Sequence, residues 1–136
     1  MIEYNRNQSI THEALLNLYE SVGWSAYTKD NTDLTSLLKG ARHYLAAWDD
    51  DRLIGLIRVV GDGVYIAYIQ DILVHPDYHR QGIGRQLMEQ MLNEISYAKQ
   101  IILTTEDTPK TKAFYQSMGM NAFTDLGTLG FSKNDN

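Results

Sequence analysis

Three places in this chain carry residues whose types and spacing can do chemistry. The first is Gly82-Ile83-Gly84, which follows an apolar run ending at Val74 and a short loop over residues 75–81, and which opens a helical pattern. A helix start leaves backbone N–H groups without partners, with the positive end of the dipole behind them, and such a place binds phosphate. Gly82 and Gly84 suit it, because a β-carbon at either would hold the backbone off a pyrophosphate or forbid the tight turn. Two better-known phosphate loops are excluded: the third glycine of G-x-G-x-x-G would fall at Leu87, and no G-x-x-x-x-G-K-[ST] occurs. The second place is Asp71, a carboxylate inside an apolar strand pattern. It either has a partner, with Arg58 and neighbouring backbone available, or has its pKa raised for use as a base. The third is the aromatic pair Trp24 and Tyr27, which either lines a substrate cleft or pins a helix pair to a sheet.

The elements that must position these residues follow from periodicity. A short first strand covers residues 2–4. Thr11 then caps a helix whose Ile10 and Leu15 have the spacing of a hydrophobic staple, and Leu15, Leu18, Tyr19 and Val22 continue its stripe to Gly23. Thr32 is expected to cap a second helix, with Leu34, Leu37 and Leu38 on one face before Gly40. Residues 44–48 and 53–60 flank Asp49-Asp50-Asp51-Arg52, a hairpin whose acidic tip reads as a solvated turn, and Gly61-Asp62-Gly63 turns the chain into residues 65–74. After the glycine loop, Leu87, Met88, Met91, Leu92 and Ile95 repeat at helical spacing, and residues 100–105 form a strand parallel to 65–74. Thr108-Pro109 opens a last helix that Gly119 closes, and residues 121–125 and 128–132 are expected to pair as a terminal hairpin.

Composition bounds the function. The 136 residues suffice for one domain with its own core, and 43% hydrophobic and 21% charged residues are those of a soluble globular protein. No cysteine is present, which removes disulfides, thiolate metal sites and a cysteine nucleophile, and fits a cytoplasmic location. The amino terminus lacks signal-peptide features and no 18 apolar residues run together, so no membrane is expected. A net charge of −5 without a basic stripe argues against nucleic acid and mildly favours cationic partners such as amines. His75 and His79 lie in a loop interrupted by Pro76 with no third ligand near in sequence, so no metal is expected.

The string from Ile72 to Arg85, Ile-Leu-Val-His-Pro-Asp-Tyr-His-Arg-Gln-Gly-Ile-Gly-Arg, resembles the coenzyme A signature of the GNAT N-acetyltransferase superfamily. In that signature a strand ends in an apolar residue and a short loop leads to Gln/Arg-x-x-Gly-x-Gly/Ala, with His79 here at the first position. Residues 108–120 are similar to the second family signature, with Thr108 in place of its Asn, the Phe114-Tyr115 pair retained, and Met120 in place of its Phe. The resemblance implies a single α/β domain over residues 1–136, with a mixed sheet and the order β-α-α-β-β-β-α-β-α-β-β. A bulge then splays two parallel central strands. It implies acetyl-CoA as cosubstrate, bound by backbone groups of Ile72, Leu73 and Val74, by the loop His79, Arg80, Gln81, Gly82, Ile83, Gly84 and Arg85, and by Thr108. Tyr115 aligns with the tyrosine that protonates the leaving thiolate. Asp71 beside the acetyl site is the candidate base, and Trp24 and Tyr27 the candidate acceptor-binding residues. The implied reaction is direct attack of a primary amine, on a small molecule or peptide, through a tetrahedral intermediate. Homodimerisation is common in the family. The competing class is a non-catalytic acyl-CoA-binding or regulatory module, which would keep the pyrophosphate site without turnover.

Overall fold

The computed structural model describes residues 1–134. It resolves into two compact units, Met1–Thr104 and a second beginning at Thr105. In the first, β1 (Ile2–Arg6), α1 (His12–Ser21), α2 (Ser25–Thr28) and α3 (Thr35–Lys39) precede β2 (His43–Asp49), β3 (Arg52–Gly61) and β4 (Ile66–Val74). A 3₁₀ turn (Pro76–Tyr78), α4 (Ile83–Glu94) and β5 (Gln100–Leu103) complete it. The five strands form one sheet in sequence order, antiparallel except for the parallel pair β4–β5. No helix among the described residues is long and apolar enough to cross a membrane.

Both faces of this sheet are covered, which is why β3 is buried from Leu53 to Val59 without polar alternation. On one face Leu53, Leu56, Leu73 and Ala46 pack with Ile10, Leu15, Leu18 and Tyr19 of the α1 region and with Leu34 and Leu38 near α3. Thr11 Oγ1 accepts the Ala14 N–H at 3.1 Å, and the buried Ile10 and Leu15 join that cluster, so cap and staple together fix where α1 enters. The other face takes α4. Gly55 of β3 lets it come close: a β-carbon there would stand 3.2 Å from Leu87 Cδ1 and 3.4 Å from Ile83 Cγ2.

The fold class is the expected one, with four local corrections. The segment after α1 is a further short helix, α2, where no element was expected. The next helix starts at Thr35, and Asp33 in place of Thr32 organises its start by accepting from Thr35 N (3.1 Å) and Oγ1 (2.8 Å). The terminal hairpin is not formed among the described residues. Phe123–Leu126 instead closes a 3₁₀ turn, with Asp125 N–H on Ala122 O and Gly127 in the left-handed region at φ 70°. Local bonds of this kind compete with a strand ladder, and Gly127 and Gly130 give a ladder little to hold. The parallel pair consequently lies at one edge of the described sheet and not at its centre. In the second unit α5 (Pro109–Ser117) begins at Thr108 as expected.

At the end of the first unit opposite the glycine loop, β1 and β2 are tied to the last turn of α4 and to Tyr97 just beyond it. Arg6 lies 3.2 Å from Glu94, and His43 Nε2 is 2.8 Å from the Tyr97 hydroxyl. Burial, with Arg42 nearby, pushes the His43 pKa below the usual imidazole range against the opposing pull of Glu94. The folded state therefore binds this proton less readily than the unfolded chain. The stabilisation is fully present above about pH 6.5, the unfolded value, and is lost as pH falls through the lower folded value. Wild type should lose more melting temperature than His43→Asn between pH 7.5 and 5.5; parallel losses would show that His43 is not responsible.

Candidate active site

The site is built around the place where β4 outruns its neighbour. The parallel ladder pairs Ile66–Ile69 with Gln100–Leu103 and stops, while β4 continues to Val74. At that point β4 also carries a bulge against β3: Arg58 pairs with Asp71 and Val59 with Ile69, leaving Gln70 as the extra residue. His75 N–H bonds Ile54 O at 2.8 Å, so odd-numbered residues here direct their backbone groups at β3. By alternation, Ile72 and Val74 direct theirs to the side that β5 has left. Leu73, expected to share that role, has its backbone groups in the β3 ladder. At the mouth of the gap the Tyr68 hydroxyl and Thr104 Oγ1 meet at 2.9 Å.

The loop after β4 is shaped for an anion. Arg80 (φ 65°) and Gly82 (φ 77°) are both left-handed, and Gly82 is the N-cap of α4 with no side chain on the helix start. Successive residues of this kind turn N–H groups to one side. The N–H groups of Gln81, Gly82, Ile83 and Gly84 have no acceptor among the described residues. Among the described residues a β-carbon on Gly84 would meet only Val74 Cγ2, at 3.9 Å, so these leave the space in front of the helix start open. The side chains of Arg80 and Arg85 are exposed beside it, Arg85 lying 3.7 Å from Glu89. His79, expected among the ligand contacts, turns back: its Nε2 is 2.9 Å from Val74 O. A carbonyl can only accept, so the His79 proton is on Nε2 and closes the loop onto the strand.

Asp71 has partners. It is 3% exposed and Arg58 6%. Arg58 Nε and Nη2 donate to Asp71 Oδ2 at 2.9 and 2.7 Å, Tyr19 donates to the same oxygen at 2.8 Å, and Tyr27 donates to Oδ1 at 2.8 Å. The Tyr27 oxygen in turn accepts from Arg58 Nη2 at 3.1 Å. Burial, and then the carboxylate, raise the pKa of Tyr19 and Tyr27, so both phenols stay donors. Of the two readings of Asp71, the geometry matches the paired one: four donor atoms, two of them on the Arg58 guanidinium and two phenolic, surround a carboxylate that would need a free lone pair to act as a base. Tyr19, Tyr27 and Trp24 also stack edge-on and tilted, with centroids 4.9 to 6.3 Å apart, so the aromatics expected at a cleft wall pin α1 and α2 to the bulge. Sequence reasoning missed Tyr19 and Gln70. A tyrosine on the buried stripe of α1 was the available signal, since its hydroxyl needs a partner.

In the second unit Thr108 caps α5: its Oγ1 accepts from Thr111 N at 3.2 Å and donates to Thr111 Oγ1 at 2.8 Å. Its hydroxyl proton is thereby engaged within the helix cap. Tyr115 stacks edge-on against Phe114 at 5.1 Å, and burial raises its pKa while a hydrogen bond with Thr105 opposes the shift.

Asp71→Asn leaves the Arg58 guanidinium buried without a countercharge, and breaking such a pair typically costs about 3–5 kcal/mol. The double variant Arg58→Met/Asp71→Leu should recover most of that. Denaturant midpoints compare the three proteins, and an Asp71→Asn midpoint equal to wild type would contradict the structural role.

Comparison with known proteins agrees with this geometry. Residues 9–127 match the sequence profile of the acetyltransferase (GNAT) domain. An uncharacterized ycf52-like N-acetyltransferase of Prochlorococcus marinus is 36% identical over 112 residues, covering 75% of this chain and 58% of that protein. An uncharacterized ycf52 N-acetyltransferase of Gracilaria tenuistipitata is 34% identical over 67 residues, 49% of this chain and 37% of the relative. The chain thus spans between about a third and three fifths of these two curated relatives. A GNAT family acetyltransferase of Streptococcus pneumoniae has a structure that superposes with TM-score 0.88 at 36% identity, covering 99% of this chain and 98% of that one. A Staphylococcus aureus protein described as a probable acetyltransferase shares the fold at TM-score 0.77 and 24% identity, covering 98% and 99%. With the open edge of β4, the anion-shaped loop and these matches in agreement, the chain belongs to the GNAT acetyltransferase family.

Proposed function

We propose that this protein transfers the acetyl group of acetyl-CoA to a primary amine of a small molecule or peptide by direct attack. The observation that carries the reading is the row of four unbonded N–H groups at residues 81–84, shortly after a strand whose Ile72 backbone groups and Val74 N–H lack a sheet partner. A pyrophosphate satisfies the first set and the amide-bearing pantetheine arm the second. Arg80 and Arg85 add positive charge at the phosphates.

The amine nitrogen attacks the thioester carbonyl carbon, the C–S bond breaks, and sulfur leaves as thiolate. An N–H of β4 on the open side, Val74's among them, stabilises the oxyanion. An alkyl ammonium has a pKa of about 10.4, so the acceptor sheds one proton to solvent water before it attacks. Tyr115 gives its proton to the departing sulfur and is reprotonated, through water, by the second proton that nitrogen loses as the amide forms. The raised pKa of Tyr115 keeps its proton in place until it is called for. Asp71 takes no proton in this scheme. It fixes the bulge at Gln70 and, through Tyr27 and Trp24, the wall against which the acceptor lies. Thiol release from acetyl-CoA over a panel of amines, set beside calorimetric titration with coenzyme A, tests the reading. Binding without turnover would assign the chain to the acyl-CoA-binding modules instead.

Gly84→Val should fold, since its side chain projects into open space past Val74, yet raise the coenzyme A dissociation constant by about tenfold or more by standing where the pyrophosphate meets the helix. Unchanged affinity in a folded variant removes the phosphate assignment.

Tyr115→Phe should retain coenzyme A affinity and lower kcat by ~10²-fold, the usual size of a lost general acid. A thiolate of pKa about 8.5 leaves unassisted more readily at alkaline pH, so the deficit should narrow as pH rises. A Phe variant with wild-type kcat from pH 6 to about 9 would make Tyr115 a packing residue, with water as the proton donor.

A further inference from the structure

The β2–β3 hairpin tip reads from sequence as a solvated turn, yet it touches the segment that leads into the anion-binding loop at several points. The Tyr78 hydroxyl donates to Asp49 Oδ2 at 2.5 Å, a bond that also raises the Tyr78 pKa. The Arg52 guanidinium lies 5.7 Å over the Tyr78 ring and 3.6 Å from Asp77 Oδ2. Its Nη2 is 2.9 Å from His75 Nε2, and His75 Nδ1 is 3.1 Å from the Asp77 N–H. A neutral imidazole has one bare nitrogen, so His75 accepts from only one of these two donors at a time. The His75 ring also stands edge-on to Tyr78 at 6.1 Å.

These contacts matter because few others anchor the segment among the described residues: His75 N–H on Ile54 O at its start and His79 on Val74 O at its end. The turn Pro76–Tyr78 buries no residue, so its position cannot come from the core. Two residues later Arg80 adopts φ 65°, a conformation that a non-glycine residue keeps only where its surroundings over-determine it. His79 to Val74 O holds the far side of the turn. Asp49 and Arg52 hold the near side, from the two strands whose pairing ends at the pair they form.

We infer that Arg52 and Tyr78 are positioning residues for the cosubstrate: Tyr78 through its bond to Asp49, and Arg52 through His75, Asp77 and the Tyr78 ring, keep the 75–79 turn in place so that the N–H groups of residues 81–84 already converge before the ligand arrives. This rests on the acetyl-CoA reading. Preorganisation of this kind acts on affinity for the group that the loop contacts and not on the chemical step. Individually such exposed ion pairs contribute little to stability, so loss of one should leave the fold intact.

The test compares wild type, Arg52→Ala, Arg52→Lys and Tyr78→Phe for coenzyme A affinity by calorimetry. It also compares thiol release from acetyl-CoA and from S-acetylpantetheine, which lacks the pyrophosphate, using an amine that wild type acetylates. Arg52→Ala should raise the dissociation constant and the KM for acetyl-CoA about tenfold, with kcat and the S-acetylpantetheine kinetics unchanged and the melting temperature near wild type. Arg52→Lys, which keeps the charge without the planar fork, and Tyr78→Phe, which keeps the ring without the Asp49 bond, should fall between. Variants that bind and turn over both thioesters as wild type does overturn the hairpin's role, as does an equal loss on both thioesters accompanied by a lower melting temperature. A wild type that binds no coenzyme A overturns this inference and the acetyl-CoA reading together.

Discussion

The buried pair of Arg58 and Asp71 is the interaction on which the first unit depends. Moving two charges out of water costs several kcal/mol apiece, and their attraction offsets this only when the remaining hydrogen-bond capacity is met. Here Tyr19 and Tyr27 meet it, one from α1 and one from α2. The ion pair is therefore stable only when both helices are seated, and the helices carry their aromatics to the strand bulge because the ion pair is there. Asp71 immediately follows Gln70, the residue extruded where β4 shifts register against β3. A polar cluster thus fixes the irregularity that an apolar strand would have no reason to keep.

From that irregularity onward the structure works mainly with backbone. The Ile72 backbone groups and the Val74 N–H face the side that β5 has left, Gln81 to Gly84 present N–H groups with no acceptor among the described residues, and side chains such as His79 hold the loop in place. His79 is the plainest case, a side chain at a motif position that hydrogen-bonds the protein's own main chain. Chemistry assigned to main-chain atoms tolerates many side chains, which is how apolar residues can line the site proposed above for phosphates and amides. The requirement falls instead on conformation, where Gly82 is left-handed and Gly84 leaves its front face clear.

Much of this was legible in the residues because the signals were local. Thr11 with Ile10 and Leu15 marked α1, the turns at residues 49–52 and 61–63 marked off β2 to β4, and the two glycines marked the start of α4. Asp71 stood out as a carboxylate in an apolar run, and both of its readings were written in the sequence. What decides between them is Tyr19, 52 residues away in the chain, and no pattern within one element reveals such a partner. The hairpin tip was illegible for the same reason, since Asp49 and Tyr78 are 29 residues apart. Residues 121–132 misled in the opposite direction: their short alternation suits a strand, but a glycine at 127 and local turn bonds satisfy the backbone without one.

Arg80 carries a consequence of its own. A left-handed backbone costs a residue with a β-carbon roughly 1–2 kcal/mol that glycine would not incur. Glycine at this position would make the protein sturdier and would also erase a guanidinium beside a row of unpaired N–H groups. The position is thus one where thermal robustness and ligand capture pull against each other. Selection for heat tolerance alone would be expected to erode the loop there first.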